Sequence, residues 1–376
     1  MFFHYVSLEL TEGNVIDMNY MCMAINIIEL GAKNVLEETD LRTVVDCLRD
    51  DGVVVAPTDS TYGILGLRTS AIGRISRLKK RPHDKPYLQL IYDIDIIPKE
   101  IKLPVPSFYK LAKCYWPGPL TVVLPSINFH LPGISSKSGG ISYRIPDHPL
   151  LSQLLSSLGE PVIAPSANPD SKIPASSIKE AINYFSDKVD IYIDGGFYEN
   201  KRFSTIISLE ADEPTTVREG MISSKEIFLE LQKKHILFVC TGNTCRSPLA
   251  EFYARKILPS NSFCVSSAGI SSIKGMHISH YSAGIIKKNG GDQEKYLTRQ
   301  LTPIQVFASD MIVALDIIHK DYLMEIFPEL NDRIFLITEF IDDDKGIPDP
   351  VGGEEKDYAE CFDKIRQCID KMKERL

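Results

Sequence analysis

The stretch from His235 to Pro248, HILFVCTGNTCRSP, leaves a chain few ways to fold. Its apolar run is compact enough for a buried strand. Gly242 and Asn243 then suit a tight loop, because both residue types accept positive φ. Pro248 stands where the first turn of a helix tolerates proline. The unit is therefore strand–loop–helix, the repeating element of an α/β protein.

The same alternation fills the chain. Strand candidates before this unit are GVVVAP, YLQLIY, LTVVLP, ISYRIP, PVIAPS, DIYIDG and STIISL, with helix candidates at Ser107 to Tyr115 and Ile178 to Phe185. After it come SFCVSSA, MIVALD and RIFLIT, then a long amphipathic helix from Asp357 to Arg375. The pattern ends and restarts around SSKEIFLELQKKH, and 376 residues are long for one domain. The expected organisation is a tail or an over-long start at 1–22, a domain at 23–222, a linker helix at 223–234 and a second domain at 235–376. A start near Met21 or Met23 fits that reading.

Composition narrows the function classes. A net charge of -8 argues against non-specific binding to a nucleic-acid backbone. No apolar run approaches the roughly 20 residues of a membrane span. The cysteines are scattered with no CxxC pair, which points to a reducing cytosol, hence a cytoplasmic protein, and not to a disulfide framework. His277 and His280 in HISH have no clustered companions, so no metal site is expected.

The loop at Cys240 carries chemistry. A thiol attacks phosphorus as thiolate. At the end of a strand and the start of a helix, the amides of Thr241 to Arg246 and the helix dipole favour negative charge and bind phosphate oxygens. Arg246 adds a bidentate fork. Ser247 can donate to the sulfur. Asp349, before Pro350 in PDPVGG, is a general-acid candidate for the leaving group. Alone, Cys240 reads as a core cysteine and Asp349 as a turn residue. The combined pattern of Cys-x5-Arg-Ser-Pro after a strand outweighs that.

VCTGNTCRSPLAE resembles the signature of the low-molecular-weight protein tyrosine phosphatases, over residues 235–376. The resemblance implies a four-stranded parallel sheet with helices on both faces, the phosphotyrosine phosphatase I-like fold. It implies Cys240 as nucleophile through a phosphocysteine, Arg246 as clamp and Asp349 as acid, without a cofactor. Thr241, Gly242, Asn243, Thr244, Cys245 and Ser247 would support the loop, with Cys245 able to form a reversible disulfide with the nucleophile. Thr244, and Val351, Gly352 and Gly353 where aromatic residues flank a phosphotyrosine ring, are similar to the protein arginine phosphatase branch. Phosphoarginine is the favoured substrate, and phosphotyrosine stays open. Residues 309–335 lack the extra cysteines of thioredoxin-coupled arsenate reductases.

In the first part the basic cluster RLKKRPHDKP lies between two strand ends, APTDSTYG and APSAN. A charge run alone is usually a solvated face. In an open α/β sheet, however, ligands gather beyond strand C-termini. PTDSTYG, Lys79-x-Arg81, WPGPLT, YRIPDHP, APSAN, IDGG, STI and VREG together resemble the threonylcarbamoyl-AMP synthases (YrdC-like), over about residues 25–222. The fold this implies is an N-terminal YrdC-like twisted open sheet with helices. The implied reaction joins L-threonine, bicarbonate and ATP into threonylcarbamoyl-AMP and pyrophosphate. Mg2+ would accompany ATP, and the product would pass to the tRNA threonylcarbamoyl-transferase machinery that makes t6A. By the same resemblance Lys79, Arg81, Lys85, Ser166, Asn168 and Arg218 bind ATP, and Ser60, Arg144 and Ser204 bind threonine. WPGPLT reads as a rigid turn packing Trp116. Leu90 stands where the family often has histidine, and Asp59 and Ser60 replace the commoner Glu and Thr. The rival reading is a non-catalytic nucleotide or RNA sensor that regulates the phosphatase.

Overall fold

The computed structural model describes residues 25–376 except 32, 69–70, 82–84, 98–100, 102–105, 127–131, 199–202 and 212. The expected tail at 1–22 and Pro82 to Asp84 of the basic cluster lie outside the described residues. Contacts divide the chain into Met1–Val105 with Tyr115–Ser224, and Pro106–Cys114 with Lys225–Leu376.

The first unit opens with β1 (Ile27–Glu29), α1 (Glu38–Arg49), β2 (Val54–Pro57), β3 (Tyr62–Leu67), α2 (Ile72–Lys79) and β4 (Gln89–Leu90). Helix α3 (Pro106–Tyr115) interrupts it, and β5 (Leu120–Pro125), β6 (Gly140–Arg144), α4 (Pro149–Leu158) and β7 (Val162–Ile163) follow. The unit ends with α5 (Ile178–Phe185), β8 (Ile191–Asp194), β9 (Thr205–Ser208) and β10 (Thr215–Arg218). The strands form one mixed sheet in the order β1-β8-β2-β3-β7-β4-β6-β5-β9-β10 among the described residues. Helix α4 shows how the core forms. Pro149 opens it, Gly159 closes it at φ +73°, and Leu150, Leu151, Leu154, Leu155 and Leu158 are buried. That i, i+4 stripe packs with Val44 and Leu48 of α1 and Val54 of β2. Each such leucine contributes about 1.5–3 kcal/mol by leaving water.

Strands β1, β3 and β10 are absent from the sequence reading. Strand β3 carries two glycines, and Gly66 is required there. A Cβ on it would lie 2.4 Å from Ala71 Cβ, so glycine lets α2 pack closely on the strand. Strand β10 is exposed at every position on the sheet edge and shows no apolar alternation.

The second unit comprises α6 (Ser224–Gln232), β11 (Lys234–Cys240), α7 (Arg246–Ile257), β12 (Phe263–Gly269), α8 (His280–Lys288) and α9 (Pro303–Phe307). It continues with β13 (Met311–Ala314), α10 (Ile317–Ile326), β14 (Ile334–Leu336) and α11 (Glu355–Glu374). Its sheet runs β12-β11-β13-β14, parallel throughout. Alternate residues of β11 serve opposite faces. Ile236 and Phe238 pack with Leu249 of α7 and Ile365 of α11. Leu237 and Val239 pack with Leu323 of α10. Helices therefore cover both faces, as the resemblance implied.

Helix α3 lies within 23–222 by sequence, yet its contacts up to Cys114 belong to the second unit. The Tyr109 ring stacks on Phe307 at 4.8 Å, and Lys110 Nζ is 2.8 Å from Asp310 Oδ2.

Candidate functional site

In the second unit the site forms where parallel strands end, the usual place in such sheets. Cys240 ends β11, and the loop from Thr241 to Cys245 leads into α7 at Arg246. Cys240 Sγ is 2.9 Å from Ser247 Oγ. Asn243 adopts φ +53° and donates through Nδ2 to Ser247 Oγ and Ser267 Oγ, both at 2.8 Å. Its Oδ1 accepts from the Arg299 amide at 2.9 Å. Gly242, expected to share the left-handed conformation, is not among the positive-φ glycines. The loop turns at Asn243, whose side chain replaces the bonds a strained backbone forgoes. Close packing is instead needed opposite. A Cβ on Gly269 would lie 2.5 Å from Thr241 O, so the end of β12 must be glycine.

Burial pushes the Cys240 thiol up, while the Ser247 hydroxyl, loop amides and the Arg246 charge pull it down. Burial is the larger effect, so ionisation of the thiol depends on those donors, in a site that water cannot stabilise.

Arg246 is 2% exposed. Its Nη2 is 2.6 Å from Asp349 Oδ2, and its Nη1 is 3.3 Å from Asp316 Oδ2 and donates to Ile347 O at 3.0 Å. The residues expected as nucleophile, clamp and acid are therefore brought to one loop region. Thr244 Oγ1 lies 3.5 Å from Cys245 Sγ, which is also 3.5 Å from the Tyr358 hydroxyl. Val351 is exposed, and Gly352 turns at φ +85°.

Sequence reasoning missed two residues of this site. His319 Nε2 is 2.9 Å from Thr241 Oγ1, and burial, then the Arg246 charge, pulls its pKa down to about 4. Asp316 stands just past β13, where the strand-end rule alone marks it. HISH stays apart from this chemistry. His277 pairs by a backbone bridge with Leu297, and His280 opens α8.

The first unit holds a cavity of about 220 Å³. Ser60, Arg81, Arg144, Ser166, Ser204 and Arg218 all line it. Arg144 is 4% exposed and 3.0 Å from Asp59 Oδ1. Arg218 Nη2 donates to Ser204 O at 2.9 Å and to Ser204 Oγ at 3.2 Å. Burial, then the neighbouring Arg144 charge, lowers the Arg218 pKa. Arg81 lies over the Tyr87 ring at 4.8 Å and donates to Pro86 O at 2.8 Å.

Three expected residues sit off the cavity wall. Lys79 is buried and donates to the carbonyls of Ser166 and Asn168, the latter at 2.6 Å. Burial, then the Arg81 charge, lowers it to about 7. Asn168 accepts from Ser166 Oγ at 2.6 Å. Lys85 is exposed, 3.4 Å from Asp170. Lys79 and Asn168 shape the Ser166 turn from behind. The sequence reading also passed over Thr121, in the segment taken as a packing turn. Its hydroxyl lines the cavity 3.0 Å from Ser204 Oγ. The same segment does seat Trp116, whose Nε1 donates to Leu120 O at 2.7 Å.

Among the described residues no helix is long and apolar enough to cross a membrane. A family model described as low molecular weight phosphotyrosine protein phosphatase matches residues 235–376. The Sua5–YciO–YrdC model, described as telomere recombination, matches residues 46–220. The chain is 35% identical over 138 residues to the low molecular weight protein-tyrosine-phosphatase PtpB of Staphylococcus epidermidis, spanning 37% of this chain and 96% of that one. It is 35% identical over 143 residues to the protein-arginine-phosphatase of Geobacillus stearothermophilus, spanning 38% and 95%. It is 31% identical over 163 residues to the threonylcarbamoyl-AMP synthase of Marinobacter nauticus, spanning 42% and 85%. It spans only 56% of the longer Bacillus subtilis threonylcarbamoyl-AMP synthase, at 32% identity over half of this chain. The chain belongs to two families, to Sua5–YciO–YrdC through its first unit and to the low molecular weight protein-tyrosine-phosphatases through its second.

Proposed function

We propose that the chain is a bifunctional enzyme, a threonylcarbamoyl-AMP synthase joined to a cysteine-dependent protein phosphatase. The contact of Cys240 with Ser247 and that of Arg246 with Asp349, at one loop and helix start, support the phosphatase most directly. Cys240 attacks phosphorus, the S–P bond forms and the bond to the leaving group breaks. Asp349 gives the leaving nitrogen or oxygen its proton. Phosphate oxygens take over the Arg246 fork, which frees Asp349 for that transfer. Water then cleaves the phosphocysteine and restores the thiolate. Loop amides stabilise the equatorial charge throughout. Cys245, through a disulfide to Cys240, protects the nucleophile from over-oxidation.

Phosphoarginine is the preferred substrate. The expected aromatic flank is replaced by Val351, Gly352 and Gly353, and the hydroxyl of Thr244 suits a planar guanidinium. The relatives' names include both specificities, so phosphotyrosine is the second reading. Phosphate release from the two substrates decides between them, and a wild-type preference for phosphotyrosine overturns the first.

In the first unit the cluster of Arg81, Arg144 and Arg218 with serine hydroxyls supports binding of a triphosphate and a small amino acid. Arg81 and Arg218, with Lys85 at the rim, meet phosphates. Lys79, Ser166 and Asn168 hold the turn against the nucleotide. Arg144 takes the threonine carboxylate, beside Ser60 and Ser204. The threonine carbamate attacks the α-phosphate and pyrophosphate leaves. The protein positions reactants and neutralises charge. The described cavity lining offers no carboxylate, so Mg2+ enters with the nucleotide and no protein ligand is assigned to it. The adenylate is then consumed by the tRNA threonylcarbamoyl-transferase machinery, in the cytoplasm. Pyrophosphate release that requires ATP, threonine and bicarbonate together tests the synthase. ATP binding without release favours the sensor reading.

A further inference from the structure

Away from both sites, four side chains of the second unit converge at the end of α3. Cys114 Sγ lies 3.5 Å from Glu230 Oε1, and His235 Nε2 lies 3.5 Å from the same oxygen. One donor atom from each of these three residues falls within 4.8 Å of the others. Cys264 is the direct neighbour of His235 across the parallel pair β11–β12, and its thiol lies close enough to that of Cys114 for the two to interact.

The histidine marks the cluster. His235 is fully buried, and neither ring nitrogen has a hydrogen-bond partner. A buried imidazole whose ring nitrogens make no hydrogen bond is costly and rare in a native core. A metal bond on Nε2 satisfies one of the two nitrogens. Ligands about 2.0–2.3 Å from a tetrahedral zinc are about 3.3–3.8 Å apart. The two separations from Glu230 Oε1, 3.5 Å to Cys114 and 3.5 Å to His235, match such a site. We propose that Cys114, Cys264, His235 and Glu230 form a zinc site that ties α3 to β11 and β12.

The donor set selects the metal. Two sulfurs and an imidazole favour zinc over the hard cations, which prefer oxygen. Four protein ligands close the shell, so the site is structural and not catalytic. On binding, two S–H bonds give way to two Zn–S bonds, and both protons leave to solvent. The resulting site carries two thiolates, one carboxylate and Zn2+, hence one net negative charge. Lys233 answers it, with Nζ 2.7 Å from Glu230 Oε2, the oxygen that Cys114 and His235 do not contact. The helix is already held for this purpose. Lys113 Nζ donates to Ser266 Oγ at 3.1 Å, and Lys110 Nζ donates to Lys233 O at 3.1 Å.

The test is the zinc content of the full-length protein, reduced, loaded with Zn2+ and dialysed, read by mass spectrometry. Wild type is expected to retain about one equivalent per chain, the stoichiometry of one closed site. Cys114→Ser and Cys264→Ser are each expected to lose it, whereas Cys240→Ser keeps it. Cobalt bound to wild type gives a second reading that needs no variant. Intense visible bands with sulfur-to-cobalt charge transfer are expected. Wild type without stoichiometric zinc overturns the proposal, as does zinc retained after both Cys114 and Cys264 are changed, or a six-coordinate cobalt spectrum. A reduced protein that refuses zinc and joins Cys114 to Cys264 as a disulfide in air overturns it too.

Discussion

In the second unit, nucleophile, loop and clamp run without interruption from Cys240 to Ser247 on one strand–loop–helix. In the first, the cavity draws Ser60, Arg81, Arg144, Ser166, Ser204 and Arg218 from separate strands and turns. A contiguous loop presets its own geometry, because backbone amides and a helix terminus come with the local fold. A dispersed pocket depends on the whole sheet closing in register. Loss of one residue should therefore act locally in the second unit and spread in the first.

The largest effect expected is that of Cys240→Ser. Phosphate release should fall at least about 10³-fold, as for other essential nucleophiles, while pyrophosphate release is unchanged. A parallel loss of both activities would break the comparison. Next is Arg144→Ala, which strands Asp59 in the interior. Breaking a buried ion pair costs about 3–5 kcal/mol. Chemical denaturation should show that loss in the transition of the first unit, together with loss of pyrophosphate release. A change confined to the KM for threonine, with stability intact, removes the argument for a dispersed and interdependent pocket.

Asn243→Ala comes third. It removes hydrogen bonds to two buried hydroxyls and leaves alanine in a left-handed conformation, at about 1–3 kcal/mol. Phosphatase activity should drop with only the second unit's transition lowered. Thr244→Ile is smaller. A shift of about tenfold from phosphoarginine toward phosphotyrosine, about 1.4 kcal/mol, is expected in the ratio of kcat/KM values. No shift detaches specificity from this position.

A last effect concerns pH. The folded pKa of His319 is about 4 against 6.5 unfolded, so the unfolded chain takes up the proton first. Its neutral form therefore stabilises the second unit fully above 6.5, and that contribution is lost as pH falls from 6.5 toward 4. Melting curves across this window should show the decline. His319→Gln should flatten it, and an unchanged slope in that variant excludes His319 as the source.

Legibility followed the same division. HILFVC, LTVVLP and the stripe of α11 carry their period in the residues themselves, so their elements could be read off. Strand β3 could not, because its glycines serve a helix packed against it. Strand β10 could not, because an exposed edge needs no apolar alternation. Gly242 and Asn243 looked equivalent as loop residues. Only the surrounding hydroxyls of Ser247 and Ser267 made asparagine the one that turns.

The linear chain by itself determined two α/β units, the strand–loop–helix at Cys240 and the residues proposed as its nucleophile and clamp. Those rest on periodicity and on contacts a few residues apart. Tertiary structure alone decided that Asp316 and His319 join that loop, that Lys79 supports a turn from behind the cavity and that α3 packs with the second unit. It also decided that Cys114, Glu230, His235 and Cys264 meet. These cysteines lie far apart in sequence and show no CxxC spacing. Only the pairing of β11 with β12 and the docking of α3 bring them together, because pairing and docking energies depend on surfaces that exist only after folding.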